Sequence, residues 1–225
     1  MLTEKEWLFI NEIIQEIYKS KTLSSLGEIF LLLIRKLIPF KAAELTLVDD
    51  QLHDKQYAAV GISEDDVREY NEKYVKSDYR NAIFTFPKSM SYCDSDLINE
   101  DKKRDTALYK NWLAPMGMEF CGGLMIRVSR EMICCINIFR GEAHGSLTER
   151  DLFILDLFIG HLENIIAGLM TETAAGTLKY EYMKEYDSLT RREKEIFPYI
   201  LKGYSNSDIS EAFYVSESTA KKHVY

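Results

Sequence analysis

Apolar residues near the start of the chain recur at helical spacing. Trp7, Ile10, Ile13, Ile14 and Ile17 form one stripe, which predicts a helix from Glu4 to Ser20. Leu23 to Leu37 is more uniformly apolar and predicts a second, mostly buried helix, ended by Pro39. The period then changes. Ala42–Val48 and Gln56–Gly61 read as a strand pair joined through Asp49-Asp50. Phe120–Val128 and Met132–Phe139 read as another, joined through Ser129-Arg130. Ser63 caps an acidic helix between the pairs, which runs towards Lys76. Asp78–Leu97 has no regular apolar period and reads as loop; Asp105–Leu113 reads as a short helix stopped by Pro115. Ser146 and Glu149 open a long helix from Leu147 towards Met170, apolar around most of its circumference. Helices flanking an antiparallel sheet predict an α+β domain over residues 1–170. Residues 171–186 read as a linker with Gly176 as a flex point, and residues 187–225 as a small all-α unit.

That last unit is dense in start and stop signals. Thr190 and Glu193 make a capping box, Ile196, Tyr199 and Ile200 share a face, and Gly203 ends the helix. Pro198 predicts a kink, because it cannot donate to the carbonyl of Lys194. Ser205 with Asp208 caps a second helix whose stripe is Ile209, Ala212 and Phe213. Tyr214 and Val215 make a turn, and Ser216 caps a third helix that begins Glu217-Ser218-Thr219-Ala220-Lys221-Lys222-His223. Two short helices joined by a turn allow the second to enter the DNA major groove while the first spans the backbone. The exposed face of the third helix offers Thr219, Lys221, Lys222 and Tyr225, and lysines reach phosphates or guanine acceptors. Caps alone do not decide this, since any helical hairpin carries them and a Lys-Lys pair is commonly a solvated face.

The order of the features decides it. Leu189, Thr190, Arg192, Glu193, Glu195, Ile196, Gly203, Ser205, Asn206, Asp208, Ile209, Ser216, Thr219, Lys221 and His223 fall in the pattern of the LuxR-type helix-turn-helix, which this segment resembles. Pro198 and Ala220 depart from it. The resemblance implies a bacterial transcription regulator with double-stranded DNA as partner. It places Ser205, Asn206, Ser218, Thr219, Lys221, Lys222 and Tyr225 on the DNA side. It also implies a further helix beyond His223, so the motif reads as truncated at Tyr225.

The net charge of −8 does not by itself suggest DNA. Asp187–Tyr225 holds six Lys/Arg and six Asp/Glu, however, so the acidity belongs to the N-terminal part, which should not bind DNA. Cys93, Cys121, Cys134 and Cys135 lack any CxxC spacing, which predicts reduced thiols in a cytoplasmic protein and no metal site. The longest apolar run, Ile29–Ile34, stops at Arg35-Lys36, well short of the roughly 20 residues a membrane span needs. His53, His144, His161 and His223 are scattered, and no nucleophile elbow, phosphate loop or metal-ligand pair is present. The reading is of a non-enzyme without cofactor.

Four stretches sharpen the view of the first domain: Tyr74-x-x-x-Asp78-Tyr79, Ser95-Asp96-Leu97-Ile98, Tyr109-x-x-Trp112-Leu113-x-Pro115-x-Gly117 and Leu147-Thr148-Glu149-Arg150-Asp151. With the element order they resemble GAF/PAS-like sensor domains joined to LuxR-type C-termini. The resemblance implies a small-molecule effector cavity lidded by the irregular segment, with Tyr79, Phe84, Phe86, Tyr109, Trp112 and Cys121 around it. The same residues could simply fill a core. Two readings therefore stand: a sensor of a small effector, or a ligand-free interaction and dimerisation module controlling the DNA-binding domain. The residues of cyclic-nucleotide GAF domains and a bilin-holding Cys-His pair are both missing. The apolar excess of the long helix, with Trp7 and Ile14 of the first, predicts a homodimer surface.

Overall fold

The computed structural model describes residues 2–49, 52, 54–128 and 132–170, and in the C-terminal part 190, 192, 193, 195, 196, 205–213, 215, 216 and 219. Two compact units divide the chain, Met1–Met170 and Thr171–Tyr225.

Helices of the first unit start where short polar side chains take up the N–H groups of the first turn. Thr3 with Glu6 opens α1 (Glu4–Ile17), Thr22 with Ser25 opens α2 (Leu23–Ile34), and Ser63 with Asp66 opens α3 (Glu64–Lys73). Asn99 caps α4 (Glu100–Asp105). Thr148 with Asp151, rather than Ser146 with Glu149, opens α5 (Glu149–Asp156). The shift has a cause: Arg140 engages both the Ser146 carbonyl and Asp151, which fixes the loop ahead of the cap. The expected single long helix is a pair, since α6 (Ile159–Met170) continues α5 after a bend of 43°. At the break the Phe158 N–H donates to Leu155, a tightened turn.

Strands β1 (Ala42–Asp49), β2 (Asp54–Val60), β3 (Met90–Cys93), β4 (Phe120–Arg127) and β5 (Met132–Arg140) form a five-stranded sheet in the order β2-β1-β5-β4-β3. Every neighbouring pair is antiparallel. The two expected strand pairs meet at its centre, where Leu45 of β1 and Leu124 of β4 flank Ile136 of β5. Alternation assigns the faces. Ala43, Leu45, Leu47, Leu124, Ile126, Cys134, Ile136 and Ile138 pack with α1, α2, α5 and α6. Phe30 and Phe158 lie there edge to face at 5.3 Å, both fully buried. The opposite face presents Ala42, Glu44, Thr46, Val48, Cys121, Met125, Ile133, Cys135, Asn137 and Phe139, all buried. Its cover is α3 and the irregular segments, so the sheet is sandwiched.

Two further stretches differ from the sequence pattern. The stretch read as loop contains a 3₁₀ segment (Tyr79–Thr85) and β3. With four residues β3 is too short to show a period, and its place is fixed by pairing with β4. The short helix expected at Asp105–Leu113 is displaced. α4 ends at Asp105, and a π-type turn follows at Tyr109–Leu113, with Ala114 N–H donating to Tyr109. α4 carries no apolar stripe, because its buried face is the Lys103 side chain.

Candidate functional site

In the C-terminal unit the described residues form caps around a small apolar centre. The Thr190 N–H and hydroxyl both donate to Glu193 (2.7 and 2.8 Å), and the Ser205 N–H and hydroxyl to Asp208 (2.8 and 2.6 Å). Those Ser205 hydrogen bonds lower the Asp208 pKa. Ser205 thereby starts α7 (Asn206–Ala212), with Asn206 as its first residue. Ile196 and Ile209 are buried against Phe213 and Val215. The Arg192 guanidinium lies 4.7 Å from the centroid of the Phe213 ring and pairs with Glu195 at 2.9 Å. Ser216 accepts from the Thr219 N–H at 3.2 Å, the start of a further turn. Ser218, Lys221, Lys222 and Tyr225 lie outside the described residues, as do the expected kink at Pro198, the helix end at Gly203 and the linker.

In the first unit the six residues expected around an effector divide between two clusters. Tyr79, Tyr109, Trp112 and Cys121 pack with Phe139, Leu108 and Met118. Phe84 and Phe86 pack with Tyr92, Met125 and Ile133. Trp112 is nearly fully buried; its Nε1 donates to the Asp66 carbonyl of α3 at 3.1 Å, and its ring meets Tyr70 and Phe139. The Tyr109 hydroxyl donates to Glu119, and that bond, followed by burial, pushes its pKa up to about 12. The Tyr79 hydroxyl is buried without a hydrogen-bond partner among the described residues. Burial raises its pKa. Burial also pushes the Cys121 thiol up to about 12.

What lies between the clusters is polar, and sequence reasoning missed it. Arg80 is buried and pairs with Asp78 through its guanidinium (2.6 Å), while its own backbone N–H donates to the same carboxylate (2.7 Å). Tyr70 donates to Asp78 at 2.7 Å, and the guanidinium packs against the Tyr70 and Phe139 rings. Burial disfavours the Arg80 charge, but the adjoining carboxylate outweighs it and holds its pKa above the usual arginine value. A cavity of about 30 Å³ remains beside this pair, bordered among others by Thr46, Asn81, Phe84, Cys135 and Asn137. That is room for about one water. Of the six expected residues only Phe84 borders it. Two charged residues two apart in an aperiodic stretch give no signal of burial, which is why the pair was not legible.

A hydrogen-bonded row crosses the same face of the sheet. Gln56 of β2 donates to Glu44 of β1 (2.9 Å), Asn137 of β5 donates to Glu44 (3.0 Å), and Tyr92 of β3 donates to Asn137 (2.5 Å). A second buried ion pair closes the domain's end: Lys103 binds Asp94 at 3.1 Å, Glu100 at 2.8 Å and the Glu119 carbonyl at 2.8 Å. Among the described residues no group of three or more His, Cys, Asp or Glu is placed to hold a metal. No single helix there is long and apolar enough to cross a membrane.

Residues 187–225 match the family model "Bacterial regulatory proteins, luxR family". The transcriptional regulatory protein DegU of Brevibacillus brevis is 49% identical over 49 residues, which are 22% of this chain and 21% of DegU, so the chain spans about a fifth of that relative. The fold of the first unit is similar to the VqsR LBD domain from Pseudomonas aeruginosa, with a TM-score of 0.58 and 9% identity over 75% of this chain and 98% of that one. It is also similar to a phycocyanobilin-bound GAF domain from a cyanobacterial phytochrome, with a TM-score of 0.52 and 14% identity over 76% and 98%. Residues 187–225 are thus similar to the luxR family of bacterial regulatory proteins, and ahead of them lies an α+β domain of GAF-like fold.

Proposed function

We propose that this protein regulates transcription by binding double-stranded DNA through residues 187–225, as a homodimer. The observation that carries the reading is the luxR-family match over those residues, whose caps at Thr190, Ser205 and Ser216 follow the helix-turn-helix order. The turn capped by Ser216 opens the helix that enters the major groove. Ser218, Thr219, Lys221, Lys222 and Tyr225 line its DNA side, and Ser205 and Asn206 contact the backbone. Such units read two half-sites with two-fold symmetry, which favours a dimer. Its interface is α1 with α5, where Trp7 (46% exposed), Leu8 (64%) and Phe153 (50%) stand in solvent.

For control of the DNA-binding unit, the cavity of about 30 Å³ favours a domain with a filled interior, acting through dimerisation and contacts, over one that encloses an effector. Selection from a random duplex pool tests DNA binding. The expected result is enrichment of a two-fold site whose affinity falls with salt; Lys221→Ala should flatten the log–log slope by about one unit. Absence of enrichment counts against the reading. Native mass spectrometry tests the filled interior: the expectation is a dimer without copurified ligand, and a retained small molecule that disappears on unfolding would restore the effector reading.

A further inference from the structure

A second concavity lies outside the helix-covered and segment-covered faces of the sheet. About 660 Å³ in volume, it opens to solvent where three loops meet. Arg35–Lys41 leads from α2 into β1, Gly117–Glu119 leads into β4, and Gly141–His144 leads out of β5. Backbone hydrogen bonds tie two of these loops to β5, Lys41 N–H to Phe139 (2.9 Å) and Glu119 N–H to Arg140 (2.8 Å), and a turn closed by His144 N–H to Gly141 (3.0 Å) holds the third. The groove is therefore preformed, and its volume falls in the range of small-ligand sites.

The floor is bare. A Cβ on Gly141 would stand 3.1 Å from the Gly117 carbonyl oxygen, and one on Gly117 would stand 2.5 Å from the Lys41 ammonium. Lys41 thus hangs over glycine backbone in space that a side chain would fill. Arg35 is oriented by the Phe40 ring, 5.1 Å from its centroid. Neither Arg35 nor Lys41 has a carboxylate partner among the described residues. Glu119 is engaged by Tyr109 and Arg104, so opposing charge comes from Glu142 at the exposed loop tip. Two cations without a carboxylate partner among the described residues, in a chain of net charge −8, stand beside Pro39 and glycine backbone.

We propose that this groove binds a small organic carboxylate. Arg35 and Lys41 hold its anionic end, and Pro39, Gly117 and Gly141 support a flat apolar body. A guanidinium fork and an ammonium on one rim suit a carboxylate, and each contact is charge-assisted. Binding there bears on the helix behind it. Buried Arg140 donates to the Pro39 carbonyl (2.9 Å), to the Ser146 carbonyl (3.1 Å) and to Asp151 (3.0 Å), whose carboxylate also accepts from Thr148 at the start of α5.

The test uses the full chain, benzoate as probe and benzamide as its uncharged counterpart, read by amide NMR. Benzoate should shift the Gly117 and Gly141 amides saturably, with Kd on the order of 1 mM, and should move the Asp151 amide with them. Benzamide should bind about tenfold more weakly. Arg35 and Lys41 are exposed, so the double variant Arg35→Glu/Lys41→Glu should fold, as unchanged resonances elsewhere would verify, and should lose the benzoate response. Non-saturating shifts, equal binding of benzamide, or a response that survives the charge reversal would each overturn the proposal.

Discussion

Tyr92 reaches over Gly123 to donate to Asn137 at 2.5 Å. In the sheet register Tyr92 stands opposite Gly123, and Gly123 opposite Asn137, so the contact spans two ladder steps. Only a glycine leaves the path open and takes the backbone there, at φ 150°.

Gly123→Ala should therefore be among the most damaging single substitutions in the domain. Its Cβ would sit 1.8 Å from the Ile136 carbonyl oxygen, an approach that only backbone displacement relieves. Tyr92→Phe removes only the hydrogen bond and strands the buried Asn137 oxygen, at a cost of about 1–3 kcal/mol. Urea titration of both variants checks the order, with Gly123→Ala the worse.

Arg80→Met should cost about 3–5 kcal/mol, because it leaves the Asp78 carboxylate buried without its guanidinium. Asp78→Leu/Arg80→Met should recover part of that loss, since no buried charge remains. A double variant weaker than Arg80→Met in urea would show that the pair contributes through its geometry and not through charge compensation.

Most of the frame was legible from apolar periods and caps. The bounds of α1, β1, β4 and β5 follow the pattern within a few residues, because burial on a sheet or helix face imposes a regular spacing. Trp112 shows the limit. Its aromatic neighbours suggested a ligand wall, whereas the structure packs it against Tyr70 and Phe139. Aromatic content alone does not separate a filled core from a lined cavity. The buried ion pairs Arg80–Asp78 and Lys103–Asp94 were illegible for a related reason. Their burial arises from contacts distant in sequence, and charged residues carry no periodic trace of it.

Charge placed on the exposed apolar surface of α1 and α5 should weaken self-association without unfolding the chain. Trp7 and Phe153 meet edge to face at 6.4 Å and remain about half exposed. Trp7→Glu/Phe153→Glu should raise the dimer dissociation constant about a hundredfold or more, in line with aromatic hot spots. Sedimentation across a concentration series reads this, and an unchanged dimer would move the interface elsewhere.

Alkaline pH should destabilise the first unit through its thiols. Burial raises Cys134, like Cys121, to about 12. An unfolded chain ionises its thiols from about pH 8.5, while the folded chain keeps them protonated. Their contribution is thus fully present below that value and is lost as pH rises towards 12. Each thiol adds a slope of up to about 1.4 kcal/mol per pH unit. Urea midpoints above pH 9 should fall less steeply for Cys134→Ala than for the parent.

The brevity of β3 has a consequence for how copies of this chain can meet. An open sheet invites strand addition at its rims, and long flat rims are templates for fibrous stacking. One rim here is only the four residues Met90–Cys93, followed at once by the 3₁₀ turn Asp94–Asp96. The other rim, β2, carries Lys55, whose ammonium lies over Tyr57 at 5.0 Å. A short rim and a charged one give an incoming strand little to zip onto, so any self-association is steered away from the sheet rims towards helical surfaces, where the proposed two-fold pairing would close on itself and not propagate.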